Sequence, residues 1–130
     1  MSSIFSKIIA GELPGHFVWQ DDHAVAIMTI EPIVPGHLLV IPRQEVDHWD
    51  DLSESLSNHL MTVSKRLAKA LKQVYQCKRV SLQIVGLEVP HVHLHLVPVN
   101  DMTDCFFGNA KGASAEQLAA EATRIREALA

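Results

Sequence analysis

Apolar residues between positions 56 and 74 recur at steps of three and four, and this spacing predicts a long amphipathic helix. The lysines of the same segment fall largely on the opposite side. One face of this helix is therefore expected to pack against the rest of the chain. The apolar positions on that face are Leu56, Leu60, Val63, Leu67, Leu71 and Val74.

Five shorter apolar runs, each bounded by turn residues, predict β-strands. Asp21-Asp22 reads as a turn between the first two runs, and Pro35-Gly36 breaks the chain before the third. The third run is apolar at nearly every position, which is typical of a strand buried on both faces. The predicted strands cover residues 16–20, 24–30, 37–41, 80–85 and 91–99.

Two further helices are predicted at the ends of the chain. Ser2 or Ser3 is expected to cap a short helix that ends at Gly11. Ser114 followed by Gln117 matches a capping box for a helix over about 114–129. Tight turns favour antiparallel pairing, so we predict an α+β fold with a mainly antiparallel five-stranded sheet. One long helix, the short N-terminal helix and the C-terminal helix are expected to pack on one face of that sheet.

Composition is ordinary for one globular domain, since 48% of the 130 residues are hydrophobic and 20% are charged. A formal net charge of −4, without a dense Lys/Arg cluster, argues against a nucleic-acid partner but not against a small phosphorylated ligand. Cys77 and Cys105 lie far apart, which indicates a reducing compartment. Without a secretory signal or a membrane-spanning stretch, the expected location is the cytoplasm, with no membrane partner.

Three histidines alternate with apolar residues in the run from His91 to Val97. On a β-strand, alternate side chains share a face, so His91, His93 and His95 would stand roughly 6–7 Å apart on one side. Three neighbouring imidazoles oppose one another's protonation. At least one is therefore expected to stay neutral near pH 7, available as a nucleophile or a base.

Three interpretations of the run compete. A solvated strand face accounts for one histidine more readily than for three in alternation. His-x-His on a strand can present two ring nitrogens to one metal ion, although no cysteine pair or nearby carboxylate supplies further ligands. In covalent catalysis, one imidazole attacks phosphorus while its neighbours stabilise charge. The residues by themselves leave metal binding and phosphorus chemistry open.

The alternating run resembles the signature of the histidine triad (HIT) family, with every position matched. Four other segments resemble family motifs in the same order. The resemblance covers about residues 3–98 and implies a single HIT domain over 1–130, in which 99–130 is a C-terminal extension. The four segments are Ile4 to Glu12, Asp21-Asp22, Pro35 to Pro42 and Gly86 to Pro90.

The resemblance implies a nucleotide hydrolase or transferase of the nucleoside phosphoramidase or dinucleoside polyphosphate hydrolase type. His93 would attack the α-phosphorus and form a covalent nucleotidyl-histidine intermediate. The carbonyl of His91 would orient the nucleophile, while His95 and His37 would line the phosphate site. No cofactor and no bound metal are implied, the nucleotide is expected to be a purine nucleotide, and the chain is expected to form a homodimer.

Base and ribose are expected to lie against apolar residues of the first helix and second strand. Thr29 stands where the family commonly has an aspartate, and a hydroxyl replaces a carboxylate acceptor only weakly. The segment before the triad is also shorter than in the family, so Gln83 is expected either to supply one phosphate contact or to pack at the edge of the core. The apolar residues expected in the nucleoside site are Ile4, Phe5, Ile8, Ile27, Met28 and Ile30.

These departures keep two alternatives open: a nucleotide-binding module with little turnover, and a metal-binding use of the triad. Ser3 and Ser6 occupy positions where some relatives carry a CxxC zinc pair, and hydroxyls do not replace thiolates as zinc ligands. The remaining histidines are expected to be surface or packing residues. They are His16, His23, His48 and His59.

Overall fold

The computed structural model describes residues 2–130 and follows the predicted order of elements, so that prediction is confirmed. Three short 3₁₀ turns, at Trp49–Asp51, Met102–Cys105 and Phe107–Asn109, were not predicted. The helices and strands are α1 (Ile4–Ile9), β1 (Phe17–Gln20), β2 (Ala24–Met28), β3 (Leu38–Pro42), α2 (Glu54–Val74), β4 (Arg79–Gln83), β5 (Leu94–Val99) and α3 (Ala115–Leu129).

All five strands form one sheet in the order β1-β2-β3-β5-β4, and each neighbouring pair is antiparallel. The predicted α+β class is confirmed. Four strands are shorter than predicted, and the largest differences are at β2, which ends at Met28, and at β5, which begins only at Leu94. Before Leu94, the N–H of His91 donates to the carbonyl of Val89 and that of Val92 to the carbonyl of Val46, so these backbone groups bond to loops instead of to β3.

Helices α2 and α3 cover one face of the sheet and enclose the larger hydrophobic core. Met28, Leu38 and Leu96 lie opposite one another on adjacent strands and point into this core. The apolar face of α2 predicted from its periodicity supplies the other side, including the fully buried Leu60 and Leu67. No helix among residues 2–130 combines the length and apolar character that crossing a membrane would require.

Helix α1 packs on the opposite face, so the prediction that all helices share one face is wrong. Its Phe5 contributes to a second apolar cluster with Val25, Ile27, Leu39 and Ile41. The physical reason is that β2 and β3 are apolar at every position, which leaves two faces to be removed from water. The histidines of the triad lie on this second face.

Serine caps begin α1 and α3 as predicted. Ser3 Oγ accepts the N–H of Ser6 at 3.0 Å, and Ser114 Oγ accepts that of Gln117 at 3.1 Å. The reciprocal half of the predicted capping box is not formed, because the Gln117 amide instead donates to Glu121 Oε2 at 3.0 Å.

Candidate active site

A cross-strand row on the α1 face carries the site. Ile27, Leu39, His95 and Gln83 lie opposite one another on β2, β3, β5 and β4. Only His95 of the three triad histidines lies inside a regular strand, because β5 begins at Leu94. The ring centres of His93 and His95 are 5.0 Å apart. They are closer than the predicted spacing because His93 precedes the ladder.

His91 is a buried anchor and holds no free ring nitrogen. Its Nε2 donates to the carbonyl of Pro42 at 2.8 Å, and its Nδ1 accepts the hydroxyl of Ser3 at 2.6 Å. Since a carbonyl can only accept, Nε2 carries a proton, and Nδ1 is the acceptor in the neutral ring. The ring therefore ties the start of α1 to the end of β3, away from solvent.

The ring of His93 is held with one nitrogen bonded and one free. Its Nδ1 donates to the carbonyl of His91 at 2.7 Å, so the lone pair of a neutral ring lies on Nε2. Phe5 packs edge-on against the ring with centres 4.8 Å apart. Burial lowers the pKa of His93 below the usual histidine value, which keeps the ring neutral and nucleophilic near pH 7.

His37 and His95 form a hydrogen-bonded pair whose proton positions follow from one backbone donor. The N–H of Ile33 donates to His37 Nδ1 at 3.1 Å, so the proton of neutral His37 lies on Nε2. That proton is donated to His95 Nδ1 at 2.9 Å, which leaves the remaining proton of His95 on its Nε2. His95 thus offers an N–H donor beside the lone pair of His93.

Burial keeps this pair uncharged. Removal from water lowers the pKa of His37 to about 4. The pKa of His95 falls to about 3, chiefly through burial and further through the neighbouring rings of His37 and His93. Both rings are therefore neutral at pH 7, which is the protonation state that the chain of donors requires.

A cavity of about 310 Å³ lies beside these two rings. Among the described residues its lining includes one carboxylate and no lysine or arginine. A nucleophilic nitrogen and an N–H donor therefore border the same space, which is the pairing needed to attack a phosphorus centre and to stabilise the oxygens around it. The lining residues are Val85, Gly86, Leu87, Glu88, His93, His95 and Phe107.

Residues 10–102 match the HIT domain family. An uncharacterised HIT-like protein of Methanocaldococcus jannaschii is 32% identical over 125 residues, which cover 91% of this chain and 96% of that protein. The adenosine 5′-monophosphoramidase of Saccharomyces cerevisiae is 35% identical over 99 residues, covering 75% of this chain and 63% of that protein. The chain belongs to the HIT family.

The HIT fold also extends over the ends of the chain that lie outside residues 10–102. A crystal structure of a HIT-like protein from Bartonella henselae superposes with a TM-score of 0.87 at 27% identity, covering 98% of this chain and 96% of that one. A histidine triad nucleotide-binding protein from Sulfolobus tokodaii gives 0.82 at 28% identity, covering 96% of this chain and 90% of that one. Helix α3 is thus part of the shared architecture.

The residues predicted to form the nucleoside site of this HIT chain are not all brought together. Phe5 and Ile27 lie in the apolar cluster on the histidine face, with Ile8 packed beside them. Ile30 is 69% exposed in the loop after β2, and Ile4 is about half exposed on α1. Contact between these residues and a nucleotide remains a prediction.

The structure contradicts the predicted role of Met28. Met28 alternates with Ile27 on β2 and therefore points to the opposite face, where it is 2% exposed in the core beneath α2. A side chain buried there cannot line a cavity on the histidine face. The prediction that Met28 contacts the nucleoside is wrong for this reason.

Two polar residues predicted to contact the nucleotide have internal partners. The hydroxyl of Thr29 accepts the N–H of Glu31 at 3.3 Å, and the amide of Gln83 donates to the carbonyl of Cys105 at 3.3 Å. Gln83 does lie directly opposite His95, so its position suits a contact with phosphate although its donor is engaged. Both roles stay predictions.

Sequence reasoning missed Phe107, and it did not predict Val85, Gly86, Leu87 or Glu88 as site residues either. The ring of Phe107 lies edge-on to His95 with centres 4.7 Å apart and 6.3 Å from His37. It sits in a 3₁₀ turn of the segment regarded as a C-terminal extension. The available signal was the apolar pair Phe106-Phe107 in an otherwise polar stretch.

Hydroxyl groups occupy the position where some HIT proteins carry a zinc-binding cysteine pair. Glu45 accepts the N–H of Ser3 and the hydroxyl of Ser6, each at 2.7 Å, while the Ser3 hydroxyl donates to His91. Within residues 2–130, no group of three or more His, Cys, Asp or Glu side chains is arranged to share a metal ion. The neighbouring donors and acceptors here satisfy one another.

The other histidines make no hydrogen bond to the triad, although His48 borders a small cleft that His93 also lines. His59 is half-buried and pairs through Nε2 with Asp21 Oδ2 at 2.7 Å, which joins α2 to the turn between β1 and β2. Its ring also meets that of His23 edge-on. His48 is exposed beside Asp47.

Proposed function

We propose that this HIT protein is a nucleotide hydrolase or transferase that works through a covalent intermediate on His93. The observation that carries the proposal is the pairing of a free lone pair on His93 Nε2 with an N–H on His95 Nε2. The yeast relative is named as an adenosine 5′-monophosphoramidase, and this similarity supports a nucleotide substrate and a phosphorus–nitrogen bond among those cleaved.

In the first step His93 Nε2 attacks the α-phosphorus, the bond from phosphorus to the leaving group breaks, and the leaving atom takes up one proton from solvent. The hydrogen bond from Nδ1 to the His91 carbonyl stabilises the positive charge that develops on the attacking ring. The N–H of His95 donates to an oxygen on phosphorus as negative charge develops there. His37 fixes that donor by occupying the other nitrogen of His95.

In the second step water attacks the nucleotidyl-histidine and restores the neutral ring. The water loses one proton, which replaces the proton taken up by the leaving group in the first step. An acceptor other than water would make the same intermediate a transferase. The lowered pKa values of His93 and His95 favour return to the neutral state between turnovers.

The test compares the unaltered protein with His93→Ala on adenosine 5′-phosphoramidate and on a dinucleoside polyphosphate. We expect His93→Ala to lower kcat by more than about a hundredfold, because it removes the attacking atom. His23→Ala is the matched control, since it removes an exposed imidazole whose ring contacts His59 and not the triad. Protein denatured at alkaline pH, where the N–P bond survives, should carry the nucleotidyl group on His93 by mass spectrometry. Turnover that survives in His93→Ala would rule out this nucleophile.

A second candidate is a nucleotide-binding module with little turnover. It is favoured by Thr29, whose hydroxyl is weaker than a carboxylate for ribose and is already bonded to the backbone of Glu31. Calorimetry would distinguish the two functions. Micromolar nucleotide binding without product in the same sample would favour the binding module.

We also infer a purine nucleotide and a homodimer, both from family membership. Strand β4 lies at an edge of the sheet, with β5 on its inner side, and an edge strand offers backbone groups for pairing with a second copy. Light scattering on the purified chain tests the dimer, and a substrate series that varies only the base tests the purine.

A further inference from the structure

The cavity beside His93 and His95 has an apolar wall to which the mechanism above assigns no role. Val85 and Leu87 form one part of this wall, and Phe107 forms another. We propose that the wall receives the leaving group, and that the substrates are nucleoside 5′-phosphoryl compounds whose leaving group is a neutral, apolar amine or alcohol. This inference rests on the proposed function, because it needs a nucleophile at His93.

Charge is the first argument for a neutral leaving group. A polyphosphate or another anionic group would need lysine, arginine or a metal ion to balance its charge as it departs. The lining instead carries Glu88, whose carboxylate repels anions, and two histidines that are neutral at pH 7. The cavity therefore disfavours an anionic leaving group.

Exposure is the second argument. Leu87 is 89% exposed and Val85 is 48% exposed, although each borders the cavity. Phe107, also partly exposed, stands beside them with its ring against His95. Apolar side chains gathered at one opening are removed from water when an apolar group binds there, and aromatic rings pair well with a further ring.

Size is the third argument. A cavity of about 310 Å³ lies at the lower end of the range of small-molecule sites. One aromatic ring or a short alkyl chain fits such a space beside the phosphoryl group. A second complete nucleotide, as in a dinucleoside polyphosphate, would extend beyond the lining residues.

The reaction balances without any additional reactant. His93 Nε2 forms a bond to phosphorus, and the P–N or P–O bond to the leaving group breaks with its electron pair going to nitrogen or oxygen. The leaving atom takes up one proton from solvent and departs as the free amine or alcohol. Water then supplies a hydroxyl group to phosphorus and returns one proton, so the net reaction is hydrolysis.

The experiment uses three adenosine 5′-phosphoramidates with the same P–N bond. One carries benzylamine, one carries 2-aminoethanesulfonate, an anionic amine of similar basicity, and the third is the unsubstituted compound. We expect kcat/KM for the benzylamine compound to exceed that for the sulfonate by about tenfold or more. Equal values, or a preference for the sulfonate, would overturn the inference.

Variants connect this preference to the wall. We expect Leu87→Ser to reduce the ratio of the two kcat/KM values several-fold, and Glu88→Gln to reduce it by raising the rate of the sulfonate compound. Met61→Ser is the control, since it removes a half-exposed apolar side chain from α2 on the other side of the sheet. A ratio that is unchanged in both Leu87→Ser and Glu88→Gln would contradict the assignment of the wall.

The two proposals fail in different ways. If the unsubstituted phosphoramidate is hydrolysed and His93 is labelled but the preference is absent, only the inference about the leaving group is wrong. If none of the three compounds is turned over and no nucleotidyl-histidine forms, the proposed function fails and the inference fails with it.

Discussion

At the scale of single residues, the site depends on which nitrogen of each imidazole carries the proton. Backbone groups decide this for three of the four rings: the carbonyls of Pro42 and His91 must accept, and the N–H of Ile33 must donate. In the fourth ring, His95, the position of the proton follows from the hydrogen bond with His37. His93 therefore offers a lone pair and His95 an N–H donor, although the two histidines have the same sequence context.

Substitution of Ser3 measures how much its hydrogen bond to His91 contributes to stability. The Ser3 hydroxyl caps α1 and also donates to His91 Nδ1, whereas the hydroxyl of Ser114 only caps α3. We expect Ser3→Ala to lower the free energy of unfolding by about 2 kcal/mol and Ser114→Ala by about 1 kcal/mol, because the first also leaves a buried ring nitrogen unpaired. Urea unfolding measures both. Equal losses would mean that the contact with His91 adds nothing.

At the scale of elements, α3 reaches the turn that carries His37. The carboxylate of Glu121, 3% exposed, accepts the N–H of Gly36 and the hydroxyl of Tyr75, each at 2.8 Å. Gly36 has a φ of +90°, and a Cβ there would lie 2.6 Å from the Tyr75 ring. Burial, together with Glu121, raises the pKa of Tyr75, so its hydroxyl remains a donor.

We expect Glu121→Ala to lower the free energy of unfolding by about 3 kcal/mol, because three donors, on Gly36, Tyr75 and Gln117, lose their acceptor. We also expect it to lower kcat, because the turn before His37 is no longer fixed. Glu127→Ala, on an exposed position of the same helix, is the control. Chemical unfolding and a steady-state assay measure both effects. A variant that loses stability but keeps kcat in its folded fraction would contradict a role for Glu121 in positioning His37.

Local patterns predicted the elements better than their arrangement. The spacing from Leu56 to Val74 predicted α2, because helical periodicity is a property of neighbouring residues. Placement of β5 between β3 and β4 depends on pairing between distant segments, and no short-range signal encodes it. Met28 shows an error that alternation along β2 could have prevented. Phe107 reaches His95 through irregular turns, where periodicity gives no information.

At the scale of the whole molecule, the buried imidazoles make folding sensitive to acid. In the unfolded chain each histidine binds a proton as the pH falls below about 6.5. In the folded protein the pKa of His37 is lowered to about 4 and that of His95 to about 3. The unfolded state therefore binds more protons between these values, and stability falls as the pH decreases from about 6.5 towards 4.

We expect the free energy of unfolding, measured with urea at several pH values, to decrease from pH 7 to pH 5. Each histidine that protonates only on unfolding adds a slope of up to about 1.4 kcal/mol per pH unit in this range. His37→Asn should make the slope shallower, because one such group is removed. His48→Asn should leave it unchanged, because that ring is exposed in the folded protein. If the free energy of unfolding is constant from pH 7 to pH 5, the rings of the site protonate in the folded state. That result would contradict the assignment of His37 and His95 as a neutral pair.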